Sequence, residues 1–461
     1  MKNIKFIILS IILLSSYYVG PSYAGISNIE RQDQIIRMQQ EEEKRRKTQR
    51  EFEKIRRERE QLKKQVEESR EEEEESDKLS QCLTVKSIEI IGAESLSKKL
   101  KQRIINKFIG RCIDENILQK IVNETQNIYQ KLGLVTTQIL VPQQNITKGY
   151  LAIEVIEGKI EEIILNNNKF TDNMQLFTAF GFKEGKLLDI DDINQGIHQM
   201  NRLESNNAKM QIKPGEKTGY SKVIINNASE FPASVQIGYD NLGNEFTGER
   251  RTKFAATLNN LLFLNDQINL SYNINLDDPS NEKDLKSFTA GISIPYTYNI
   301  FSYDYSRTRY KGQNAGDNEP IKLSGFSDSN NVAIDRTILR NNEYRISTNV
   351  GLTTKKSASY LNDSKIETSE RKLTIGSISL ALSKYFKNGA SIYLKPQYVK
   401  GLKLLNAQKD ESGPSDDIPR AQFQLWRIDA LLSKQFEVPK LKLPITLSTK
   451  INGQISEYSL F

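Results

Sequence analysis

Ile268-Asn269-Leu270-Ser271-Tyr272-Asn273-Ile274-Asn275-Leu276 alternates apolar with polar at every step, and Phe288-Thr289-Ala290-Gly291-Ile292-Ser293-Ile294-Pro295-Tyr296 does the same. Period two marks a strand with two unlike faces. Ile392, Leu394 and Tyr398, then Ile445, Leu447 and Ile451, repeat the pattern further along. The polar face carries uncharged Asn, Ser and Thr, the runs are near ten residues long, and Tyr or Phe sits at their ends. A soluble sandwich also alternates, but this combination suits a wall with lipid outside and a wet lumen inside. About eleven such segments fit between Ala233 and Phe461, at roughly twenty residues per strand and connection. Short turns such as Pro295–Asn299 contrast with long polar connections such as Lys311–Pro320 and Asn406–Pro419, as the two rims of a barrel do.

Composition agrees with strands as the membrane element. A chain of 461 residues with 37% hydrophobic residues and a mean hydropathy of −0.55 cannot be a bundle of transmembrane helices. Its net charge of +7 arises from 65 basic and 58 acidic residues. No compact Lys/Arg block with interleaved aromatics marks a phosphate-tracking surface, so no nucleic-acid partner is expected. The single histidine, His198, lies in a polar amphipathic stretch and reads as a surface helix residue. Zinc sites and His-based catalysis thereby lose their main ligand. No Ser/His/Asp set, nucleotide loop or metal constellation appears, so the expectation is no enzyme and no cofactor.

The first 24 residues read as an export signal. Lys2 and Lys5 give positive charge, Phe6–Leu14 an apolar core, and Ser22-Tyr23-Ala24 a cleavage pattern before Gly25. The apolar run is about nine residues, half of what a bilayer crossing needs. Residues 25–81 read as a charged helix and linker: from Glu41 to Glu75, twelve residues are positive and fourteen negative. Phe52, Ile55, Leu62 and Val66 fall at helical spacing, but Arg59 interrupts the stripe, which favours a solvated single helix over a coiled coil.

From Cys82 onward a β-α-α-β-β pattern occurs twice. In the first copy Thr84–Ile91 is a strand, Ser97–Phe108 and Glu115–Leu132 are helical, and Val135–Val141 and Tyr150–Ile156 are strands. In the second, Lys159–Leu165 is a strand, Asp172–Phe180 and Ile190–Leu203 are helical, and Ala208–Lys213 and Ser221–Ile225 are strands. An offset of 75 residues lays Gly110-Arg111-Cys112-Ile113-Asp114 over Gly185-Lys186-Leu187-Leu188-Asp189. Asp114 and Asp189 are each placed to cap the second helix of their unit, because a carboxylate accepts the unpaired amide donors there. Cys82 and Cys112 are the only cysteines. In an oxidising compartment they are expected to pair, closing a loop of about 30 residues and stabilising the unit by roughly 3 to 4 kcal/mol on the loop-entropy model. A buried pair of free thiols is the alternative.

Three stretches carry a resemblance to a known family: Cys82-Leu83-Thr84-Val85 through Gly110-Arg111-Cys112; Leu134-Val135-Thr136-Thr137-Gln138-Ile139 with Pro142-Gln143; and Leu203-Glu204-Ser205-Asn206-Asn207-Ala208 with Pro214-Gly215-Glu216. The junction from Tyr239 through Gly248 and Arg251 to Asn259-Asn260-Leu261-Leu262 and Asn265-Asp266 adds a fourth. The chain resembles the two-partner secretion outer-membrane transporters of the haemolysin activator type, with polypeptide-transport-associated (POTRA) domains.

The resemblance implies α+β periplasmic POTRA domains at 82–158 and 159–230, then an antiparallel transmembrane β-barrel at 231–461. It implies an outer-membrane location, capture of an unfolded exoprotein of haemolysin or adhesin kind, and dealings with outer-membrane lipid and the barrel assembly machinery. It also assigns residues 26–70 to a helix that plugs the pore at rest. Barrels of this kind look like about sixteen strands with a long loop bearing an Arg-Gly-aromatic signature. That signature is missing, and the chain stops at Ser459-Leu460-Phe461 about where the loop would begin. The barrel is therefore expected to be incomplete at its C-terminal end, and transport impaired unless a second polypeptide supplies strands. Two other functions fit part of the pattern: an outer-membrane barrel assembly factor, and a soluble periplasmic binding scaffold.

Overall fold

The computed structural model describes residues 83–457 apart from 166–169, 244–245, 277–282, 315–320, 342, 387, 411–418 and 439–442. The export signal with Ala24 and Gly25, the charged segment 25–81, and Cys82 lie outside the described residues.

The first module runs β1 (Leu83–Thr84), β2 (Ser87–Ile91), α1 (Lys98–Phe108), β3 (Cys112–Ile113), α2 (Glu115–Lys131), β4 (Gln138–Leu140) and β5 (Tyr150–Ile156). Ser97 starts α1, its side chain accepting the Leu100 amide, and Ile104 and Phe108, four residues apart, bury one face of the helix. On α2 the same spacing buries Ile121, Thr125 and Tyr129. These faces close over Ile88, Leu151, Ile153 and Val155 to form one core. Strand β5 is central, parallel to β2 and antiparallel to β4.

The second module repeats the plan with β6 (Lys159–Leu165), α3 (Phe170–Phe180), α4 (Ile190–Met200), β7 (Ala208–Pro214) and β8 (Tyr220–Asn227). Its last strand is again central, with sheet order β6-β8-β7. A Cβ on Gly196 would lie 2.1 Å from the Phe180 ring, so only glycine lets α4 pack this closely on α3.

The 75-residue offset is visible in backbone bonds. Gly110 donates to Val85 O and Val85 to Arg111 O in the first module; Gly185 donates to Ile160 O and Ile160 to Lys186 O in the second. Gly110 and Gly185 have φ of +76° and +74°, the left-handed conformation that favours glycine. The shared Gly-basic dipeptide is thus a clamp on the first strand of each unit.

Two expected strands are shorter than their apolar patterns suggest. Thr84–Ile91 divides into β1, which pairs with β3, and β2, which pairs with β5. Val135–Val141 contracts to Gln138–Leu140, because Leu134 donates to Tyr129 O and Thr137 to Leu134 O in a turn that prolongs α2.

The remainder is an antiparallel meander: β9 (Ala233–Asp240), β10 (Arg251–Asn259), β11 (Gln267–Asn275), β12 (Asp284–Tyr296), β13 (Asn299–Asn314), β14 (Ile321–Arg340), β15 (Tyr344–Leu361), the short β16 (Ser364–Lys365), β17 (Arg371–Tyr385), β18 (Ala390–Leu402), β19 (Gln424–Val438) and β20 (Leu443–Ser456). Each strand pairs with its predecessor, with β16 a side hairpin on β15. Among the described residues β9 and β20 are the two edges and are not paired with each other.

Register decides the two faces. Ile294, Phe301, Ile334, Val350, Ile378, Tyr398, Trp426 and Ile455 stand directly opposite one another, strand by strand, from β12 to β20. A second row on the same pattern is Ile237, Phe254, Tyr272 and Phe288 from β9 to β12. Trp426 and Ile455 are 59% and 76% exposed, which only an apolar surrounding makes favourable for an entire row. The opposite face carries rows such as Asp335, Asn349, Ser379, Gln397, Arg427 and Gln454. At 20 residues β14 is about twice the 9 to 11 that cross a bilayer. Its far half is accordingly polar on the outside, with Arg307 Nε 2.7 Å from Asp328 Oδ1 and the Tyr303 hydroxyl donating to Asn330.

Candidate functional site

The second module is fastened to the near rim of this wall. The Thr297–Tyr298 turn between β12 and β13 reaches α3 and α4. Thr297 N–H donates to Thr178 O at 2.9 Å, and the Gln195 and Gln199 side chains donate to Thr297 O at 3.2 and 2.6 Å. The Tyr298 hydroxyl donates to Asp192 at 2.7 Å; burial first, then the Asp192 carboxylate, pushes its pKa up. From the turn between β10 and β11, Asn265 donates to Gln175 O at 2.7 Å and to Thr178 Oγ1 at 2.9 Å.

Arg202, just past α4, joins both connections. Its guanidinium donates to Ser293 Oγ at 2.7 Å and Ser293 O at 3.3 Å, and to Asn265 O at 2.7 Å. Burial lowers its pKa to about 10, opposed by the nearby Asp266 carboxylate. The sequence gives no cue to Arg202, whose partners lie 63 and 91 residues away.

His198 departs from its reading as a surface residue. The C-terminal turn of α4 faces the strand ends of β14 and β15, so His198 is half-buried. Its pKa is pushed down to about 3 by burial and then by the charges of Arg340 and Arg345. The ring is therefore neutral in the docked state, whereas a freed ring titrates near 6.5. A site with fewer protons docked than free is most stable above that value and loses stability as pH falls from about 6.5 toward 3. The melting temperature is expected to drop between neutral pH and about pH 5, and His198→Gln to remove the part of that drop due to the ring. Equal pH profiles for the two proteins would exclude this role.

The paired aspartates occupy equivalent places. Asp114 Oδ1 accepts from Ile117 N–H at 2.7 Å, and Asp189 Oδ1 from Asp191 N–H at 2.8 Å. Asp114→Ala should cost about 1 kcal/mol, readable as a fall in the urea midpoint at unchanged slope. Cys112 is disulfide-bonded and pairs in register with Thr84 through β1–β3.

Each module has two sheet edges. In the first these are β2, five residues long, and β4, three. In the second, the start of β6 is occupied by the 185–187 segment, whereas β7 offers seven residues with Lys209, Gln211 and Lys213 outward and Met210 and Ile212 toward the core. Among the described residues β7 is the longest module edge with one strand neighbour and no such cover.

Two modules with open edges, the second locked beneath a wall apolar outside and polar inside, define a POTRA-and-barrel protein of outer-membrane type. The wall and the residues leading into it, 219–461, match the family described as haemolysin secretion/activation protein ShlB/FhaC/HecB, and the chain belongs to that family. Residues 83–158 match the ShlB-type POTRA domain and 159–214 a POTRA domain. The outer membrane transporter CdiB of Dickeya dadantii is 29% identical over 82% of this chain and 66% of its own length. The hemolysin transporter protein ShlB of Serratia marcescens is 27% identical over 78% of this chain and 62% of its own. The solved structure of CdiB from Escherichia coli superposes with a TM-score of 0.77 at 27% identity, covering 84% of this chain and 71% of that one. The chain spans 59% to 66% of the length of the CdiB relatives from Dickeya and Escherichia.

Proposed function

We propose that this chain serves export across the bacterial outer membrane: its periplasmic modules capture an unfolded partner exoprotein of haemolysin or adhesin kind, and the wall forms the passage. The observation that carries the reading is the fastening of the second module to the wall's rim through α3, α4 and Arg202, in a module whose β7 is a sheet edge. An edge strand exposes unpaired amides and carbonyls to which an extended chain adds as a further strand, without need of a particular sequence. Asn349, Ser379, Gln397 and Gln454 on the inner face offer a moving polypeptide weak, exchangeable hydrogen bonds, and charges of both signs such as Asp335 and Arg427 stand among them. No bond is made or broken in the cargo, so no catalytic group and no cofactor belong to the mechanism. Outer-membrane lipid and the barrel assembly machinery are the other partners, and nucleic acid is not one.

The test is hydrogen exchange on the detergent-solubilised chain with and without an unfolded, strand-forming exoprotein fragment. The amides of Lys209–Lys213 are expected to gain protection on binding. Binding that leaves these amides unchanged would refute capture at β7.

A further inference from the structure

The rim that holds the second module is apolar where it turns outward. In the β10–β11 connection the Asp266 carboxylate accepts the amides of Leu262 and Leu264, and Asn260 Oδ1 accepts that of Asn265. Three backbone amides of the turn are thus satisfied from within, while Leu261, Leu262 and Phe263 are 57%, 49% and 47% exposed. Phe263 has a φ of +58°, a conformation costly for a bulky side chain. A tight polar turn does not call for three exposed apolar residues.

Module two carries a matching surface. Phe177 of α3 lies 5.4 Å, ring to ring, from Tyr296 and 4.9 Å from Phe182. Phe182 is 78% exposed, and Met174, one turn before Phe177, is also exposed. Tyr296 belongs to the outward set of β12, with Ile292 and Ile294, at the end of that strand next to the module. The three rings thus continue the lipid-facing surface of the wall onto the module. Aromatic side chains at the edge of a lipid-facing wall sit at the level of the headgroups.

We propose that Leu261, Leu262 and Phe263, together with Phe182 and Met174, form a collar inserted in the periplasmic leaflet of the outer membrane. The collar anchors the second module to lipid as well as to the wall and so fixes the height and tilt of β7 at the membrane surface. The occupant is lipid because the patch is continuous with the lipid-facing rows through Tyr296. The proposal rests on the membrane reading of the wall.

Trp426, the one tryptophan of the chain, stands in the main lipid-facing row and reports on that reading separately. The full chain is reconstituted in phosphatidylcholine vesicles containing lipid brominated either near the headgroup or deep in the acyl chains. Wild-type protein is compared with F182W and F263W, each in a W426F background. The expected result is quenching of Trp426 in the wild type, and quenching of the F182W and F263W indoles more by shallow than by deep bromine, with little effect of aqueous acrylamide. If Trp426 is quenched by lipid while both introduced indoles respond to acrylamide alone, the collar is overturned and the wall stands. If Trp426 is not quenched, the wall reading fails and the collar with it.

Discussion

Arg202→Ala is expected to free the second module from the wall. The substitution removes the donor shared by Ser293 Oγ, Ser293 O and Asn265 O; Ser293 O keeps its place in the strand ladder, whereas Ser293 Oγ and Asn265 O lose this charged partner. A part-buried acceptor that loses its donor costs about 1 to 3 kcal/mol, and here two are affected, so a loss of about 3 kcal/mol in docking is expected. Such a loss changes the docked population by a factor of about 100 or more. Arg202→Lys should recover only part of it, since one ammonium cannot reproduce a planar fork aimed at two connections. Hydrogen exchange of the 260–266 turn reports directly, and proteolysis in the 228–232 connector gives a second readout. Unchanged protection in Arg202→Ala would show that the Thr297 and Asn265 contacts suffice without it.

Val350→Arg should destabilise the membrane-embedded wall far more than Ser377→Arg. Val350 stands between Ile334 and Ile378 in the outward row, whereas Ser377 lies between Gly351 and Val399 on the opposite face. A lipid-facing arginine near the bilayer midplane costs about 2 to 4 kcal/mol, while a lumen position keeps its water. Urea titrations of the two variants in vesicles would measure the difference. Equal effects would mean that the faces are misassigned, since nothing else separates residues on neighbouring strands so sharply.

Much of this was legible beforehand because it depends on neighbours in sequence. Alternation of Ile268 to Leu276 determines a two-faced strand, and the uncharged polar partners point to a lumen. The repeated Gly-basic-x-aliphatic-Asp run could be found by self-alignment, and Asp114 and Asp189 followed from where a helix must begin. Strand length was less legible. Lys311–Asn314 looks like polar loop and is strand, since ladder bonds to β14 hold it regardless of side chain. His198 shows the opposite failure: an amphipathic helix pattern identifies a buried face but not a second body that covers the polar one.

The sequence by itself determined two β-α-α-β-β modules ahead of a strand-built wall, because period, glycine and helix-cap signals act within a few residues. Only the tertiary structure decided that Arg202, Gln195, Gln199 and Asn265 form one joint, that β7 is the long uncovered module edge, and that the turn at Leu261–Phe263 shares a rim with Phe182. Those facts depend on residues up to about a hundred positions apart meeting at chosen distances and angles. Hydrogen bonds and ring contacts at such separations obey geometry, which a one-dimensional pattern does not contain.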